Sequence, residues 1–128
     1  MAKFERFEDM EVWRLSRDLC KLVHKLTRRE PFKSDYRFKA QIESSSGSIM
    51  DNIAEGFERG GNKEFRKFLR YSKGSSGEVR SQIIRAFDKE YISREECKEV
   101  YEMANIIGRK LKNLIEYFKR TKRKGTNY

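Results

Sequence analysis

Six cations in one segment, Lys63, Arg66, Lys67, Arg70, Lys73 and Arg80, recur at three-, four- and seven-residue steps, the spacing that stacks side chains along a helix. Lysine offers a compact charge and arginine a planar fork of donors, so such a row attracts phosphate and transfers no groups by itself. A second basic set closes the chain: Lys119, Arg120, Lys122, Arg123 and Lys124. From Arg109 onward eight Lys/Arg face Glu116 alone, which places +7 of the total +10 in the last twenty residues. A field concentrated in this way draws polyanions, with nucleic acid the usual candidate. The alternative reading of the helical row is a solvated face that only keeps the protein soluble.

Other chemistry finds little support. His24 is the single histidine and Lys21 stands three residues before it, so neither a Glu-x-x-His di-iron site nor a His-based zinc site is expected. Cys20 and Cys97 are far apart, lack metal-ligand spacing, and read as buried thiols. Nucleophile elbows, P-loops and dinucleotide fingerprints are absent; Gly56 to Gly61 is a turn with no strand before it. Asn52 and Glu55, polar within an apolar stretch, are expected to cap or bridge neighbouring helix ends. The chain is therefore expected to be no enzyme and to use no cofactor or metal. It has no secretory h-region and no apolar run long enough to span a bilayer, which gives the expectation of a soluble, cytoplasmic protein that does not engage membranes.

The elements that must carry these residues follow from apolar periodicity. Val12, Leu15, Leu19, Leu22, Val23 and Leu26 mark one face of a first helix, about Glu11 to Arg28, with Asp9 as its cap and Phe4, Phe7 and Trp13 packed at its base. Pro31, the only proline, separates it from a second helix on Phe38, Ile42, Ile49, Ile53 and Phe57 that stops near Gly60-Gly61. Asn62 caps a third helix, which buries Phe65, Phe68, Leu69, Ser72, Val79, Ile83, Ala86 and Phe87. Ser93-Arg94-Glu95-Glu96 reads as a capping box for the fourth, with Cys97, Val100, Tyr101, Ala104, Ile107, Leu111, Leu114, Ile115 and Phe118 inward. Four helical patterns on short links predict an all-α, antiparallel up-down-up-down four-helix bundle over residues 1–120, followed by a basic tail at 121–128. The last two helices, at about 27 residues and about 40 Å each, exceed what a compact monomer needs, so part of the fourth is expected to serve another subunit.

Two tracts break the helix-forming pattern, Ser44-Ser45-Ser46-Gly47-Ser48 and Gly74-Ser75-Ser76-Gly77, where each glycine costs about 1 kcal/mol against alanine. Counted from the turn at Gly60, they meet at one height in an antiparallel hairpin. One reading is a close helix crossing, in which Gly47→Leu or Gly77→Leu would force the helices apart. The other is a polar layer or pliable hinge joined by Gln41, Glu78 and Gln82.

Several segments together resemble a known family. They are Phe7-Glu8-Asp9-Met10-Glu11-Val12-Trp13, Gln41-Ile42, Ser48-Ile49-Met50-Asp51-Asn52-Ile53-Ala54-Glu55-Gly56-Phe57, Lys63-Glu64-Phe65, Phe68-Leu69 and Gly74-Ser75. The resemblance is to the four-helix-bundle proteins encoded in intervening sequences of bacterial 23S rRNA genes, also called S23 ribosomal proteins. It covers most of the chain, although the family usually has proline where Met50 stands. It implies an antiparallel bundle, assembly into a ring-like homopentamer, and no catalytic residues. A related branch, the accessory variability determinant of diversity-generating retroelements, is a basic nucleic-acid-binding partner of a reverse transcriptase. Two expectations result. The first is a non-catalytic homo-oligomer that binds RNA, or RNA–DNA, through the eleven cations named above, by backbone contacts with little base specificity. The second is a scaffold or accessory subunit whose partner is a protein such as a reverse transcriptase.

Overall fold

The computed structural model describes residues 4–121. Helix α1 runs over Glu11–Thr27, α2 over Tyr36–Arg59, α3 over Asn62–Asp88 and α4 over Arg94–Arg120, with one-turn 3-10 helices at Phe7–Asp9 and Phe32–Ser34. Helix α1 packs on α2 and α4, and α3 on the same two, which closes an antiparallel four-helix bundle as the apolar spacing predicts.

The helix ends show where local chemistry acted as expected and where packing overrode it. At α4, the Glu96 N–H donates to Ser93 Oγ at 3.1 Å and the Ser93 N–H donates to Glu96 Oε1 at 2.9 Å, the expected capping box. Asp35 caps α2 by accepting the Phe38 N–H at 3.4 Å. Gly60 and Gly61, with φ of 72° and 82°, reverse the chain between α2 and α3 in a region side chains avoid. Asp9 does not cap α1. The fully buried Met10 occupies that position, and Asp9 instead takes the Arg6 side chain and backbone N–H inside the preceding turn. Asn62 is the first residue of α3 and not its cap; its Nδ2 donates to the Phe118 and Thr121 carbonyls at 3.4 Å each. At the other end of α3, Tyr91 N–H donates to Ala86 O and Glu90 N–H to Phe87 O, a Schellman closure in which Glu90 takes the left-handed position at φ 63°.

Inside, Leu19, Ile42, Ile49, Ile53, Leu69, Ile83, Ile107 and Leu111 are fully buried, each worth about 1.5–3 kcal/mol of transfer free energy. Leu15, Leu22 and Leu114 pack at the margin instead. Phe7 meets Trp13 edge-on at 5.2 Å, and Phe4 joins the same edge of the core, as expected at the base of α1. At the opposite links Phe32 stacks on Phe38 at 5.4 Å and lies 5.2 Å from Tyr91, whose hydroxyl donates to Asp35 Oδ2 at 2.7 Å. Helix α2 passes through Met50 without interruption.

The serine and glycine tracts do sit at one level: Ser72 Oγ donates to the Ile49 carbonyl across α2 and α3 at 2.7 Å. The close-crossing reading nevertheless fails at the glycines of the tracts. A Cβ at Gly47 or Gly74 would meet nothing within 4 Å, and one at Gly77 only the tip of Arg80 at 3.6 Å. Gly47 and Gly74 lie about half a turn from the buried positions of their helices, so Gly47→Leu would project outward. The tight crossings are at Gly56, where a Cβ would stand 2.6 Å from Phe68 Cβ, and at Gly108, 3.1 Å from Ser76 Oγ. Gln41, Glu78 and Gln82 do converge, in an open polar groove between α2 and α3 of about 630 Å³ that Ser44, Ser45 and Ser48 also line. The Gln82 Oε1 is buried there without a partner.

Candidate nucleic-acid interface

The six cations of α3 do not form one stripe. Seventeen residues separate Lys63 from Arg80, and at 3.6 residues per turn that interval rotates the side chain by about a quarter turn. Lys63, Lys67 and Arg70 are exposed on the outer ridge; Lys73 is exposed on the flank facing α4; Arg66 and Arg80 are half-buried. Arg66 Nε is buried without a hydrogen-bond partner. The Arg80 guanidinium lies 5.7 Å from the centre of the Tyr101 ring on α4, and the Lys67 ammonium 5.8 Å from that of Phe68.

On its α4 side this row meets residues that the sequence reading left unassigned. Lys73 and Arg80 share a hollow of about 180 Å³ with Arg109 and Lys112, over a floor of Ser76 and Gly108. The pairing depends on the register of α3 against α4, which periodicity within either helix does not contain. Among the described residues none of these four cations is in an ion pair, whereas Lys110 is neutralised by Glu11 at 2.9 Å and Arg29 by Glu96 at 2.7 Å. No carboxylate lines the hollow. Arg59, immediately before the Gly60-Gly61 turn, is paired with Glu55 and Glu64 and adds little to the field.

Lys119 and Arg120 are exposed in the last turn of α4. The Asn62 hydrogen bonds to Phe118 and Thr121 bring that turn to the start of α3, so Lys63, Lys119 and Arg120 occupy one end of the bundle. Lys122, Arg123 and Lys124 lie outside the described residues.

Residues considered for other chemistry have local partners. His24 Nδ1 stands 3.3 Å from Glu43 Oε2 on the surface. Cys20 and Cys97 are free, half-buried thiols that donate to the Ser46 and Ile83 carbonyls, and burial pushes both pKa values up, away from the reactive thiolate. Asn52 donates to the Ser48 carbonyl one turn back and Glu55 pairs with Arg59, so neither bridges to another helix as expected. Among the described residues no group of three or more His, Cys, Asp or Glu could hold a metal ion, and no helix is long and apolar enough to cross a membrane.

No curated protein matches the sequence. The fold is similar to the crystal structure of a protein of unknown function from the S23 ribosomal protein family of Bacteroides thetaiotaomicron. The two superpose with a TM-score of 0.73 over 82% of this chain and 95% of that one, at 20% identity, a level at which the likeness speaks for the fold alone. The model of the 23S rRNA-intervening sequence protein family matches residues 8–113, the span from the Phe7–Asp9 turn through the basic hollow of α3 and α4, and the chain belongs to that family.

Proposed function

We propose that this chain is a non-catalytic nucleic-acid-binding protein that acts as a cytoplasmic homo-oligomer and holds RNA, or an RNA–DNA intermediate, by Lys/Arg–phosphate contacts. The observation that carries the reading is the unpaired set Lys73, Arg80, Arg109 and Lys112 gathered between α3 and α4, with Lys63, Lys119 and Arg120 beyond it at one end. Uncompensated cations on a rigid frame repel one another in the free protein and are relieved by a polyanion. Assembly is what the family resemblance implies, and Tyr71, Ile84 and Ile106 leave apolar surface exposed on the protomer. A ring of five, as the resemblance implies, would repeat each weak phosphate contact by symmetry.

The test is affinity for a structured RNA and a duplex DNA of equal length, titrated across salt, for the wild type and for a Lys73→Glu, Arg109→Glu, Lys112→Glu variant. Log affinity should fall steeply with log salt, and the variant should lose about two to three units of slope with helicity unchanged. Sedimentation equilibrium reads the oligomer. Absence of binding near physiological salt would overturn the reading and turn the search to a protein partner, such as a reverse transcriptase.

A further inference from the structure

The basic hollow has an aromatic neighbour. Along the same seam, nearer the α3–α4 link, a second hollow of about 510 Å³ is lined by Phe87 and Tyr101 with Arg94 and Lys98, and Asn105 borders both. Its size falls in the range of about 300–1,000 Å³ typical of small-molecule sites. Its wall is largely apolar, and Glu102 is its one carboxylate. Each ring faces a guanidinium: Arg94 lies 5.4 Å from the Phe87 centroid and Arg80 5.7 Å from that of Tyr101. Rings and guanidinium planes are the two surfaces on which an unstacked base lies.

Resting on the nucleic-acid reading above, we infer that the α3–α4 seam takes single-stranded nucleic acid, with phosphates on Lys73, Arg80, Arg109 and Lys112 and a splayed base on Tyr101 and Phe87. A duplex hides its base faces in the stack and offers the seam only phosphate. It is also wider than the valley between two helices whose axes are about 8–10 Å apart, so it meets the outer ridge at Lys63, Lys67 and Arg70 first. Arg80 belongs to the valley and not to the ridge: it is half-buried and held against Tyr101. The small floor residues matter for the same reason. Gly108 lets α4 approach Ser76 so closely that an added Cβ would stand 3.1 Å from its hydroxyl oxygen, and the hollow above stays open to a strand. A charged groove beside stacking surfaces is the arrangement by which single strands are bound without sequence preference.

The experiment compares a labelled single strand of about twelve nucleotides with a duplex of equal phosphate number, by fluorescence anisotropy across salt. The wild type should favour the single strand about tenfold or more. Tyr101→Leu, which keeps apolar volume, should remove about tenfold of that affinity at every salt without changing the slope, and leave the duplex unaffected. Arg109→Glu with Lys112→Glu should instead reduce the single-strand slope by about 1.4. Strands carrying 5-iodouridine, irradiated on the unmodified protein, should cross-link to Tyr101 or Phe87, a readout that no folding defect can mimic. Equal affinity for both ligands with Tyr101→Leu silent, or cross-links confined to other sites, overturns this assignment while leaving the polyanion reading standing. Failure of either nucleic acid to bind overturns both.

Discussion

Replacing three helix-interior glycines by alanine should give opposite signs at sites that look alike in sequence. Gly47 and Gly74 face open space, so alanine there gains helix propensity of about 1 kcal/mol and touches nothing. Gly56 has the same propensity to gain but faces α3, where a new methyl would stand 2.6 Å from Phe68 Cβ and 3.1 Å from Phe65 Cδ1. The Phe68 Cβ is the root of its side chain and cannot swing aside, so the two helices must separate by several tenths of an ångström. Overpacking of that kind costs about 1–3 kcal/mol and outweighs the propensity gain. The shared propensity gain cancels, so Gly47→Ala and Gly56→Ala should differ by the overpacking cost, about 1–3 kcal/mol, or roughly 4–12 °C in melting temperature for a chain of this size. Thermal and urea unfolding followed by circular dichroism read the difference directly. A Gly56→Ala protein as stable as the wild type, or a Gly47→Ala protein clearly less stable, would refute the packing argument.

Three further outcomes follow from other contacts. Glu90→Gly should stabilise by about 0.5–1 kcal/mol in urea melts, because glycine relieves the left-handed strain at φ 63° and gives back part of the gain as backbone entropy. The Arg29 fork, with the Ser93 amide, holds the Glu96 carboxyl at about 2, below its ordinary 4.5. Its stabilisation is therefore complete above pH 4.5 and lost as pH falls toward 2; with Arg29 half-exposed it amounts to about 1 kcal/mol. Glu96→Gln should flatten the acid limb of the stability curve in that window, and an unchanged limb would exclude the pair as its source. The Tyr91 hydroxyl is the main reason the Asp35 carboxyl titrates low, so Tyr91→Phe should move the Asp35 titration upward in a carboxyl-resolved NMR experiment.

Periodicity placed all four helices because each buries one face in the same core, and the Ser93–Glu96 box and Gly60-Gly61 were readable because their chemistry is local. Side chains with a long-range alternative were misread. Asn62 has the composition of a cap but satisfies the end of α4, and Asp9 yields the cap of α1 to Met10, whose burial fixes the chain there. The basic row was legible as charge and not as geometry. Helical rotation divides it between ridge and valley, and the register of α3 on α4 supplies Arg109 and Lys112. The tracts were placed at the right height, but their glycines face outward while Ser45, Ser46 and Ser76 are buried, since level follows from counting residues whereas facing depends on which neighbour each helix chooses.

One carboxylate couples the opening of two helix ends. Glu96 completes the first turn of α4 through the Ser93 amide and at the same time receives both Arg29 nitrogens, just past the end of α1, at 2.7 Å. Fraying of α4 at its start releases Arg29 as well, so the opening of the two ends is coupled by up to the roughly 1 kcal/mol that the pair contributes. In hydrogen exchange, the amides of Ser93 and of the last turn of α1 should accordingly lose protection together as denaturant rises.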